Sequence, residues 1–160
     1  MLMVALLCVV NMNELASLHQ KIIHFPIAFL ATYPFIELAG LVRKSEFIDK
    51  LSIVILSIGL FGLILALITG NSNLALYDNL SDIEMKILNE HIFYANYAAW
   101  FSGILFLIRI YFSKKIKTSI ILRVMFVLIS MVILYFILKT GEYGGLTNEI
   151  ISNYKNNNQL

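Results

Sequence analysis

Four runs of about twenty mostly apolar residues leave this chain few folds. A bilayer's hydrocarbon core is about 30 Å thick and an α-helix rises about 1.5 Å per residue, so such a run is the length of one crossing. The runs extend from Ile23 to Val42, Leu51 to Thr69, Ile92 to Phe112 and Ser119 to Leu138. Charged and small polar residues punctuate them: Arg43 to Glu46, Gly70 to Asn73, and Ser113 to Lys117. The expected fold is all-α: a four-transmembrane-helix antiparallel bundle with both termini on one side of the membrane.

Composition agrees. Apolar residues are 59% of the 160 and charged residues 14%, against roughly 45–50% and 25% in soluble proteins. Mean hydropathy is +0.82. A disordered chain is excluded and a soluble globular enzyme is disfavoured. A net charge of +2 without a basic, aromatic-rich stretch gives no footprint for nucleic acid. The single cysteine, Cys8, cannot form an intramolecular disulfide.

The chain divides into a short apolar segment over 1–17, the four-helix domain over 18–148 and a polar, Asn-rich tail over 149–160. Met1 to Val10 is too short to span, and no Lys or Arg precedes it as in a signal peptide. The expectation is a helix lying at the membrane surface, or a misplaced start codon. Orientation follows from Lys and Arg near the span ends. Eight lie on one side (Arg43, Lys44, Lys50, Arg109, Lys114, Lys115, Lys117, Arg123) and four on the other (Lys21, Lys86, Lys139, Lys155). The richer side is expected in the cytoplasm, with both termini extracytoplasmic, in a bacterial inner membrane.

Antiparallel topology then gathers all three histidines at one end. His19 and His24 open the first helix, His91 opens the third, and Thr69-Gly70 and the segment Thr140 to Gly145 close the second and fourth. Small residues continue below them: Ala28 and Ala31 after His24; Ala95, Ala98 and Ser102 after His91; Gly59, Gly62 and Ala66 on the second helix. Such stripes let membrane helices approach closely. They would equally make room for a flat cofactor, and neutral imidazole is a good ligand for haem iron, copper or zinc. His24 and His91 are the expected bridging pair, with His19 as a further metal ligand. On a continuous helix His19 lies about 140° around from His24, so the two do not share a face. Gly141, Gly144 and Gly145 permit a C-cap and a tight loop, with Gly144 and Gly145 covering the cofactor's edge.

At the opposite end, Glu37 and Arg109 are expected to pair, because an isolated charge in lipid is costly. A proton or ion route is the weaker reading, since only Thr32 and Tyr33 lie between His24 and Glu37 on the first helix. No phosphate-cradling loop and no nucleophile–base pair is legible.

Leu18-His19-Gln20-Lys21-Ile22-Ile23-His24-Phe25-Pro26-Ile27-Ala28 resembles the opening signature of a bacterial four-helix membrane family, domain of unknown function 2231. Further matches follow in order: Glu37 late in the first helix, Thr69-Gly70, His91, Arg109 and Gly144-Gly145. The resemblance spans Leu18 to Thr147. It implies the four-helix fold and a membrane location, and no settled activity. Gln20 stands where the family usually has Pro; Glu142 and Asn148 stand where some haem-associated relatives have His.

Two functions from different classes follow as expectations. One is a cytochrome-b-like electron-transfer module holding haem b, or copper, near the extracytoplasmic face, with membrane or periplasmic redox proteins as partners. The other is a cofactor-free structural or interaction subunit of a membrane complex. The bilayer is a partner in both, and oligomerisation is open in both.

Overall fold

A computed structural model describes residues 18–71, 80–116 and 119–157. They form four helices in the order α1 (His24–Val42), α2 (Glu46–Asn71), α3 (Asp82–Tyr111) and α4 (Ile120–Asn157). All four are long and apolar enough to cross a membrane. The apolar segment 1–17 lies outside the described residues.

Each helix buries one face at heptad-like spacing, the pattern that packs helices side by side in a bundle. On α1 it is Pro26, Leu30, Tyr33, Glu37 and Gly40. A helical turn over residues 18–22 precedes α1, and Ile23 N–H donates to the His19 carbonyl at 3.1 Å. His19 therefore falls seven residues before Pro26, on the inward face. On α2 the face runs Asp49, Ser52, Leu56, Gly59, Leu63, Ala66 and Thr69. On α3 it runs Leu88, Ala95, Ala98, Ser102, Leu105 and Arg109. On α4, Arg123, Phe126, Ser130, Ile133, Ile137 and Thr147 are buried. The helices pack in a ring, α1 on α2, α2 on α3, α3 on α4 and α4 on α1; α2–α3 is the least extensive seam. An apolar plug of Leu30, Leu56, Leu63, Ala98, Ile133 and Ile137 fills the middle.

Several boundaries differ from the hydropathy reading. The first turn of α2 is Glu46 to Asp49, ahead of the apolar run from Leu51, with acidic residues facing the helix's positive end. α3 begins ten residues before Ile92, started by a capping box in which Ser81 and Glu84 satisfy each other's backbone N–H groups.

The largest correction concerns α4. The segment Thr140 to Gly145 forms neither a C-cap nor a tight loop. It is helix, continuous to Asn157, and no glycine among the described residues has positive φ. The chain expected to be a separate tail from residue 149 is helical through 157 as well. Each helical glycine costs about 1 kcal/mol relative to alanine, and packing against α3 offsets that here. Tyr143 stacks on Tyr94 at 5.5 Å between centroids, below which Tyr97, Phe136 and Phe101 stack in series.

The glycines of α2 are filled by α1. A Cβ on Gly59 would meet Leu30 Cδ2 at 2.7 Å, and one on Gly62 would meet Pro26 Cδ at 3.1 Å. In that stripe the small residues serve close helix packing.

Candidate functional site

Two polar layers sit at opposite ends of the bundle, separated by the apolar plug. The first gathers Glu37 from α1, Asp49 and Ser52 from α2, Arg109 from α3 and Arg123 from α4. Glu37, Arg109 and Arg123 are at most 2% exposed and Asp49 is 7% exposed. Glu37 Oε1 accepts from Arg109 Nε at 2.9 Å and from Tyr33 Oη at 2.7 Å, and also from Ser52 Oγ. Arg123 grips Asp49 with both terminal nitrogens, at 3.0 and 3.1 Å. Its Nη1 also donates to the Gly40 carbonyl at 2.9 Å. Arg109 Nη2 lies 3.5 Å from Asp49 Oδ1, which joins the two pairs.

Two carboxylates and two guanidinium groups make the quartet neutral, the condition for burying charge at this depth. The Glu37–Arg109 pair expected from sequence is one half of it. Asp49 and Arg123 form the other half. Asp49 stands two residues ahead of the apolar run that begins at Leu51, so hydropathy alone does not include it. Its signal is nevertheless there: Asp49, Ser52 and Leu56 are spaced three and four apart, on one helical face.

The second layer contains two of the three histidines. His19 Nδ1 lies 3.0 Å from Thr69 Oγ1. That hydroxyl spends its own proton on the Leu65 carbonyl at 2.9 Å, with Ala66 O at 3.2 Å. It is therefore the acceptor, and Nδ1 of His19 carries the hydrogen. His91 Nδ1 lies 3.0 Å from the Thr140 carbonyl, which can only accept, so His91 is the same tautomer. In each neutral ring the lone pair is on Nε2.

Glycine makes both arrangements possible. A Cβ on Gly70 would sit 3.0 Å from His19 Cε1, and one on Gly144 would sit 3.0 Å from His91 Cε1. Gly144 is one turn beyond Thr140, and a side chain there would crowd the imidazole that bonds the Thr140 carbonyl. His19 is thus backed by α2 and His91 by α4. Gln20 Nε2 also donates to Asn148 Oδ1 at 2.6 Å, tying the approach to α1 to α4.

His24 is exposed on the outer side of α1, with Ala28. Both lie away from Pro26, Leu30 and Tyr33, so the fold does not bring His24 to His91. Gly145 is exposed with nothing within 4 Å of where a Cβ would be; only Gly144 of the expected pair touches a histidine. No cluster of three or more His, Cys, Asp or Glu side chains with metal-binding geometry occurs among the described residues.

The bundle thus carries a neutral charge quartet at one end and two separately hydrogen-bonded imidazoles at the other. The family described as "Predicted membrane protein (DUF2231)" matches residues 16–149. The chain belongs to that family, and it is a membrane protein with four candidate spans. No curated protein and no solved structure matches it.

Proposed function

We propose that this protein is a cytochrome-b-like electron-transfer module of the bacterial cytoplasmic membrane. A b-type haem would be held between His19 and His91, near the extracytoplasmic face. The supporting observation is that both imidazoles are locked with Nδ1–H on a fixed acceptor and the Nε2 lone pair left for a metal. This is the usual support of a metal-bound histidine. Haem suits a donor set of two. The porphyrin would itself supply four nitrogens, so two protein ligands would suffice to hold it, whereas a structural zinc site takes four protein ligands. When bound, the iron would pass single electrons between membrane or periplasmic redox partners. His19 and His91 would hold it, and Thr69, Thr140, Gly70 and Gly144 would hold the rings.

A cofactor-free packing subunit is the second reading. Its support is the glycine stripe of α2, which α1 already fills at Gly59 and Gly62.

The visible spectrum of detergent-purified protein, oxidised and dithionite-reduced, separates the two. A Soret band with reduced α and β bands is expected. It should be lost in His19→Ala and in His91→Ala and retained in His24→Ala. A featureless spectrum from folded protein expressed with ample haem would leave the packing subunit, and copper would then be tested by metal analysis.

A further inference from the structure

The outward face of α3 carries a polar group that the bundle does not satisfy. Asn96 belongs to the apolar part of α3, yet it is exposed, on the side of the helix away from Ala95, Ala98 and Ser102. Among the described residues its amide has no hydrogen-bond partner. Lipid tails offer none, and an Asn side chain at this depth favours bonding across helices.

Its neighbours repeat the heptad spacing of the inner seam. Asn96, Gly103 and Ile110 are seven residues apart, and Ile110 is 47% exposed. A Cβ on Gly103 would meet nothing within 4 Å. Trp100 stands between Asn96 and Gly103 and is 73% exposed. A shallow groove there is lined by Asn96, Tyr97, Trp100, Phe101 and Ile104. A polar residue, a knob and a gap follow one another along one stripe, and a single Asn in such a seam sets register and pairing state.

We propose that two copies of this chain pair through this face, about a twofold axis along the membrane normal. Such an axis makes the two α3 helices parallel and brings identical residues to the same depth. An amide both donates and accepts, so Asn96 is complementary to its own copy at that depth. Trp100 of each copy then packs into the gap at Gly103 of the other. This pairing does not depend on any cofactor.

The test uses the full chain in lipid bilayers. Donor- and acceptor-labelled copies should show energy transfer that falls on dilution with lipid. Asn96→Leu should weaken association roughly tenfold, the scale of one or two interhelical hydrogen bonds in a membrane. Asn96→Gln should stay within a few-fold of wild type, and His24→Leu, on the outer side of α1, should change nothing. Trp100 is the only tryptophan, so its fluorescence gives a second readout. Brominated lipid should quench it weakly in wild type and strongly in Asn96→Leu. Wild type that is monomeric at high protein-to-lipid ratio, with Trp100 freely quenched, would overturn the proposal and assign the groove to lipid. Association unaffected by Asn96→Leu would overturn it too.

Discussion

Asp49→Ala is expected to lower stability by about 3–5 kcal/mol, the cost of stripping one partner from a buried ion pair. The loss comes from what is left behind. Without the Asp49 carboxylate, Arg123 keeps the Gly40 carbonyl, and Arg109 keeps Glu37 and the backbone carbonyl at position 49. The bundle then holds one uncompensated positive charge beneath its apolar plug. If this account is right, Asp49→Ala combined with Arg123→Met should be more stable than Asp49→Ala alone, because the second change removes the stranded charge. Denaturation in mixed detergent micelles, followed by helix signal, measures both. A double variant no better than the single one would show that the quartet acts as a packing unit and its charge balance is secondary.

The second large effect is steric. Gly59→Val should cost about 1–3 kcal/mol, as overpacking of a filled core does. Its Cβ would lie 2.7 Å from Leu30 Cδ2 and 3.3 Å from Phe29 Cβ, and Leu30 is wholly buried in the core. Gly141→Ala should have the opposite sign, gaining up to about 1 kcal/mol of helix propensity, since nothing lies within 4 Å of its Cβ position. The same unfolding assay separates a glycine kept for contact from one that is incidental. Equal effects at the two sites would remove the packing explanation.

Hydropathy located the spans well because a lipid-facing helix must be apolar along its whole crossing. It located their ends poorly. Asp82 to Glu90 and the stretch beyond Leu138 are richer in polar residues, yet α3 and α4 continue through them as helix, with His91 and Tyr94 packed on Thr140, Gly144 and Tyr143. Three glycines in five residues favour a turn when read locally. The rings of His91 and Tyr94 against Gly144 and Tyr143 decide otherwise, and those contacts join residues about fifty positions apart. The choice between His19 and His24 was open to a sequence argument, because they cannot share a face. Which of the two faces inward follows from Pro26. It is buried, and residues 19, 26, 33 and 40 then follow at intervals of seven on the inner side. Gln20 in place of proline did not prevent that turn.

The spacing along α4 has a consequence for where this protein can reside. Arg123 and Gly144 are 21 residues apart on the same face, three heptads, which an α-helix spans in about 31 Å. His19, in the helical turn ahead of α1, and Gly40 on α1 are separated by the same 21 residues. The two polar layers therefore stand one hydrocarbon thickness apart, close to the roughly 30 Å of a typical bilayer. Both are fixed to rigid helices, so the distance between them cannot stretch. In a markedly thicker membrane one layer would be drawn into the acyl chains, at a cost for every ångström of mismatch. The bundle behaves as a gauge, at rest only in a bilayer whose width it matches.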